Sequence, residues 1–240
     1  MKKILVCLLL SAFTTLSWAE DRDKVLDRVG EAGTVMNEIM AAPDKGIPED
    51  ILGSAQCVAV VPSMLKGGFI VGASYGKGVA SCKTSNGWSA PAIFRVEGGS
   101  FGFQIGGQAV DLVMVIMNER GMRALLQSKF KLGADASVAA GPVGRHAEGA
   151  TDWKMRAQVL TYSRARGVFA GVTLNGVVIK QYRDDTRAFY GRMVGYRALL
   201  TGVHAPPADA NPFLETLRHY APVKAAEAPK SAAEKQPDKQ

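Results

Sequence analysis

The chain has 240 residues, a formal charge of +7 at pH 7, and 47% hydrophobic and 8% aromatic residues. That composition supports one sizeable domain with its own core and excludes a chain too polar to fold. Its Lys and Arg are scattered rather than run together, so nucleic acid is not an expected partner, whereas a mildly basic surface suits anionic lipid or another polyanion.

Lys2 and Lys3 precede an apolar run from Ile4 to Phe13, and Ser17-Trp18-Ala19 ends in small residues. This is the pattern of a secretory signal peptide, residues 1–19, cut near Ala19. The run is short for a bilayer span. Cys7 lies inside it, without the small residues that a lipoprotein cleavage site needs. The expected location is therefore periplasmic or secreted. Loss of Lys2 and Lys3 lowers the formal charge to +5. No later segment is long and apolar enough to read as a membrane span.

From Asp21 to Ala42, Val25, Val29, Met36 and Ile39 or Met40 recur at helical spacing between charged residues, and Pro43 ends the pattern. Pro48 opens a short helix in the first-turn position. From Cys57 to Asn118 the chain changes to Val, Ile, Phe and Gly, broken by Pro, Asn-Gly and Gly-Gly, and Lys83 to Gly87 reads as a hairpin loop. Asn118 caps a predicted helix, "ERGMRALLQS", that turns Met122, Leu125 and Leu126 inward. Gly133 to Ala140 alternates small residues as a strand does where a neighbour packs closely. Gly141 to Gly144 reads as a turn. Asn175-Gly176 between Leu174 and Val177 is a strong hairpin signal. Asp184 to Leu200 reads as one helix, and Asn211-Pro212 as the cap and first turn of another. Residues 20–220 thus form one α+β domain, a glycine-rich antiparallel sheet, curled or barrel-like, with N-terminal and C-terminal helices packed on it. The tail, 221–240, is rich in Ala, Lys and Pro and is expected to be disordered.

Two cysteines remain after processing, Cys57 and Cys82, in separate apolar segments. Export favours a disulfide, while two buried thiols that never meet is the other reading. "GASYG" and "GGSFG" match the spacing of a nucleophile elbow at Ser74 and Ser100. Each continues as strand rather than entering a helix, so a hydrolase is a weak alternative. "GASYGKG" has the wrong spacing for a phosphate loop and lacks the following Ser or Thr. His146, Glu148 and Asp152 lie close together, yet no paired-histidine or Cys-x-x-Cys spacing supports a metal site, and no cofactor is expected. The basic residues are what remain. Arg120, Arg123, Lys129 and Lys131 flank the central helix. Arg145 and His146 follow the turn, with Lys154, Arg156, Arg164 and Arg166 beyond. A shared face would gain ~1 kcal/mol per cation at an anionic membrane. Arg120, Arg123, Lys129, Lys131, Arg145 and His146 are the candidate lipid contacts, and a solvated surface is the alternative.

The ordered segments "GGFIVGASYGKG", "GWSAPAIFRVEGGSFGFQIGGQAVDLVMVIMN", "LGADASVAAGPVGR", "YSRARGVFAGVTLNG" and "AFYG" closely resemble the SYLF domain family across residues 25–195. The resemblance implies binding rather than catalysis. Bacterial members are known as lipid-binding SYLF proteins, and yeast members act at actin patches. Eukaryotic members bind phosphoinositides with help from a basic amphipathic segment at the domain's N-terminus. Here the matching segment, Glu20 to Met40, is net acidic, which an anionic membrane repels. That helix is therefore expected to pack on the sheet. The implied partners are anionic phospholipid or the membrane surface, with an envelope protein as the scaffold alternative.

Overall fold

The structure, a computed structural model, describes residues 2–42, 46–69, 71–101, 106–127, 129–143, 157–165, 168–171 and 174–223. The helices are α1 (Lys2–Ala41), α2 (Glu49–Ser54), α3 (Glu119–Leu125), α4 (Arg183–Tyr190), α5 (Tyr196–Leu200) and α6 (Asn211–Tyr220). The strands are β1 (Cys57–Phe69), β2 (Val71–Thr84), β3 (Gly87–Trp88), β4 (Ala92–Phe101) and β5 (Gly106–Ile116), followed by β6 (Lys129–Lys131), β7 (Val138–Ala140), β8 (Val159–Ala165), β9 (Val168–Gly171) and β10 (Val178–Gln181). They form one sheet in the order β6-β10-β4-β2-β1-β5-β8-β7, with β3 on β2 and β9 on β8. Every pair is antiparallel except β7 with β8.

The chain itself requires this sheet to curl. Laid flat at ~4.8 Å per strand, the path from β6 to β7 would span ~34 Å. Lys131 and Val138, which end β6 and begin β7, are separated by a stretch of chain that reaches only ~25 Å fully extended. The result is a half-barrel with two buried faces. Alternation along β1 sorts residues between them: Val58 and Val60 enter one core, and Cys57, Ala59 and Val61 the other. The outer core is roofed by α1 and α6, the inner one is filled from both flanks of the sheet by Phe130 and Val159 and closed by α3 and α5.

Helix α1 presents Val25, Val29, Ala32, Met36 and Ile39 as one buried stripe at helical spacing. It crosses α6 at Gly33, where a Cβ would come within 2.4 Å of the Pro212 carbonyl oxygen. The N-terminal helix is therefore a roof element, as its acidic polar face implied. Cys57 and Cys82 are register partners on β1 and β2, both fully buried, and are joined as a disulfide with a Cα separation of 3.9 Å. Trp88 Nε1 donates to the Ala221 carbonyl at 2.9 Å and Ala221 is buried, so packing reaches the first residue of the segment read as a tail. Residues 224–240 lie outside the described residues.

Several local expectations are corrected. The predicted helix over 184–200 is two helices, because Gly191 takes a left-handed conformation (φ 70°) that ends α4. Asn175-Gly176 does turn, with Gly176 at φ 84°, but β9 and β10 on either side do not pair. The turn instead bonds to Leu132, which donates to the Val177 carbonyl and accepts from Gly176. Gly133 to Ala140 is strand only over its last three residues. It begins with a turn at Gly133 (φ 84°), and the Asp135 carboxylate accepts from the Lys131 N–H at 2.6 Å. Ala210, not Asn211, is the N-cap of α6, and no side chain bonds there. Asn118 caps α3 as expected, accepting from the Gly121 N–H at 3.0 Å.

Candidate functional site

Antiparallel register lines up residues that are far apart in sequence. Lys129 of β6 faces Lys180 of β10, which faces Arg95 of β4, which faces Lys77 of β2. Four cations thus lie in one row across four strands, on the sheet face that α1 partly covers. Like charges directly opposite one another repel at ~5 Å, so the row needs counter-ions. Glu97, two residues along β4, accepts from Lys180 and lies 2.9 Å from Arg95 Nε without hydrogen-bond alignment. The hydrogen bond from Lys180, then the charges of Arg95, Lys180 and Lys129, hold the Glu97 carboxyl below its usual range, although burial opposes them. Buried Asp185 of α4 takes Arg28 of α1 at 2.5 Å and Lys77 at 3.4 Å. The Tyr182 ring lies beneath both neighbours, 4.4 Å from the Lys77 ammonium and 5.5 Å from the Arg95 guanidinium.

Across β1 the belt changes character. A bulge there puts Ser63 at φ 50°, and its N–H donates to Asp111 of β5 at 2.9 Å. Arg164 of β8 bonds Asp111 at 2.6 and 2.8 Å and pairs with Glu38 of α1. That half sets two carboxylates around one guanidinium. On the β6 side, Lys129, Lys131, Lys180, Arg95, Lys77 and Arg28 outnumber Glu97, Asp185 and Asp135, leaving a net positive face.

The next row along the same face runs Lys131, Val178, Glu97, Tyr75, Leu65 and Ala109. Beyond it come Gly99, Ala73, Gly67 and Gly107. Leu65 is 59% exposed and Tyr75 44%. They sit in a shallow hollow of about 510 Å³ whose floor is Gly67, Ala73, Gly107 and Ala109. Lys66, on the opposite face of β1, is partly exposed and has no ion pair among the described residues, and burial lowers its pKa.

Of the residues singled out from the sequence, Lys129 and Lys131 stand exposed on either side of buried Phe130, and both join this face. Arg120 and Arg123 do not. Their helix packs at the other end of the strands, where a Cβ on Gly121 would meet Gln158 and Ile116, and Arg123 pairs with Glu119 at 3.3 Å. Arg145, His146, Glu148, Asp152, Lys154, Arg156 and Arg166 lie outside the described residues. Lys77, Arg95 and Lys180 were not grouped from the sequence, because nothing local signals that they are neighbours. Ser74 and Ser100 lie within β2 and β4, and among the described residues no helix directly follows either, so neither shows the strand–turn–helix of an elbow. Among the described residues no group of three His, Cys, Asp or Glu could hold a metal, and no helix is long and apolar enough to cross a membrane.

Residues 97–220 match the family model Ysc84, described as "Las17-binding protein actin regulator". The chain is 36% identical over 181 residues to SH3 domain-containing YSC84-like protein 1 of Xenopus laevis, covering 74% of this chain and 54% of that protein. The human protein of the same name is 34% identical over 180 residues, covering 74% and 52%. LAS seventeen-binding protein 3 of Saccharomyces cerevisiae is 32% identical over 189 residues, covering 77% and 41%. The chain spans about half the length of the curated relatives it matches, or less.

Proposed function

The chain belongs to the Ysc84, or SYLF, family, and from that premise we propose that it is an exported, non-catalytic module that binds anionic phospholipid at the cell envelope. The observation that carries this reading is the net-positive row of Lys129, Lys180, Arg95 and Lys77 beside an exposed apolar hollow. Export is supported by the leader pattern and by the Cys57–Cys82 disulfide, which persists in an oxidising space. At ~1 kcal/mol per cation near an anionic surface, three uncompensated charges give about 3 kcal/mol, a dissociation constant of roughly several millimolar. Electrostatics alone therefore makes a weak, salt-sensitive contact.

Co-sedimentation with phosphatidylglycerol vesicles at low and high salt tests the reading. Binding should fall steeply with salt, and Lys129→Glu with Lys131→Glu, both exposed on β6, should weaken it sharply while leaving thermal unfolding nearly unchanged. Absence of binding to any anionic vesicle at low salt would remove the proposal. The relatives' names favour a second reading, a protein-interaction module of the envelope. In-cell crosslinking that recovers lipid and no protein would count against it.

A further inference from the structure

Beyond the charged belt, the four central strands continue as a tongue. β1 and β2 remain paired to Phe69 and Val71, β2 and β4 to Val71 and Phe101, and β1 and β5 to Gly68 and Gly106. The neighbours stop earlier: β10 pairs β4 only up to Glu97, and β8 pairs β5 only from Asp111. From Gly67 to Gly76 and from Gly98 to Val110 the sequence contains no charged side chain. Leu65 and Tyr75, register partners, are two of the four large hydrophobic residues exposed among those described. Along β1 and β2, from the tongue inward, the chemistry therefore runs from uncharged Gly and Ala, through an exposed Leu–Tyr pair, to the cation row, which α1 reaches through Arg28 and Asp185.

That order is the polarity gradient of a bilayer surface read from inside to outside: apolar groups, amphipathic aromatics at the headgroup level, then cations at the phosphates. We infer that the tongue formed by β1, β2, β4 and β5 enters the headgroup–acyl boundary of an anionic membrane, with Leu65 and Tyr75 at the boundary and Lys77, one row nearer the root, at the phosphates. This rests on the lipid reading above and adds the surface and the depth. Depth is limited by the backbone. Along Gly98–Phe101 and Gly106–Val110 the outer sides of β4 and β5 have no strand partner among the described residues. Unpaired amides are tolerated among headgroups but not in hydrocarbon. Penetration is therefore shallow, about 5–10 Å, as for interfacial helices.

The experiment places a tryptophan at one end of the molecule or the other. Tyr75→Trp reports from the tongue. Val203→Trp reports from the opposite end, since it is 81% exposed and follows Gly202, which packs on Thr84 at the far end of β2. With phosphatidylglycerol vesicles carrying brominated acyl chains, the emission added by Tyr75→Trp should be quenched about twofold or more. That added by Val203→Trp should be unchanged. The double variant Leu65→Asn with Tyr75→Asn should bind about tenfold or more weakly, as expected from losing two side chains' apolar contact, and should unfold as the parent does. Vesicle binding with no quenching at position 75, or with the double variant binding as the parent, overturns the tongue while leaving the lipid reading intact. A shift in the free protein's sedimentation caused by the double variant also overturns it, because the face then joins copies of this chain. If the parent binds no anionic vesicle, the underlying reading falls and the tongue falls with it.

Discussion

The two ends of β1 and β2 make an instructive pair. At the root, Val58, Val60 and Val79 on one face and Ala59, Val61, Ala80 and Cys82 on the other are all fully buried. Beyond the bulge at Ser63, which shifts the alternation of β1 by one residue, the same two strands stay paired and expose Leu65, Gly67, Ala73 and Tyr75. β1 and β2 are paired with each other at both ends, so their pairing does not explain the difference. Side-chain volume does. Branched residues at the root offer apolar area that α1, α5 and α6 cover, at about 25 cal/mol per Å². Glycine and alanine offer too little area to hold a helix, so the tongue stays uncovered and remains available for an external surface.

If that contrast is right, core truncations should separate the two ends most strongly. Phe94→Ala, fully buried at the root, should destabilise by about 3–5 kcal/mol, while Leu65→Ala should stay within about 0.5 kcal/mol. Urea unfolding followed by circular dichroism measures both, and similar losses would erase the distinction. A smaller effect is expected from the root's covalent tie. Cys57 and Cys82 are 25 residues apart in sequence, and reducing that link should cost about 3 kcal/mol on the chain-entropy account. Thermal melts with and without reductant should show a lower midpoint, whereas vesicle binding by the still-folded protein persists. The smallest effect concerns the belt between the two ends. The folded-state pKa of Glu97 is depressed, so its contribution to stability is complete above the unfolded value near 4.5 and declines as pH falls through the folded value. Glu97→Gln should therefore flatten the acid limb of a stability–pH curve without altering its neutral plateau. An unchanged acid limb would show that Glu97 is not held by Lys180.

Much of the fold was legible in short windows. The 3.6-residue stripe of α1, the Asn118 cap and the run of Gly-punctuated strands are local patterns set by neighbouring residues. Failures came where a local signal was redirected by packing. Asn175-Gly176 makes its turn, yet the chain on either side is claimed by β8 and by β4 with β6. The periodic apolar positions from 184 to 200 suggested one helix, but Gly191 is left-handed and lets Phe189 and Tyr196 enter different cores.

The sequence by itself determined the α+β class, the family and the acidic character of the first helix. Only the tertiary structure decided that Lys129, Lys180, Arg95 and Lys77 form one row and that Arg120 and Arg123 stand apart from it. The reason is register. Alternation along a strand has a period of two and can be read from a few residues, whereas cross-strand neighbours depend on pairing between distant segments, where a slip of one residue moves every side chain to the other face.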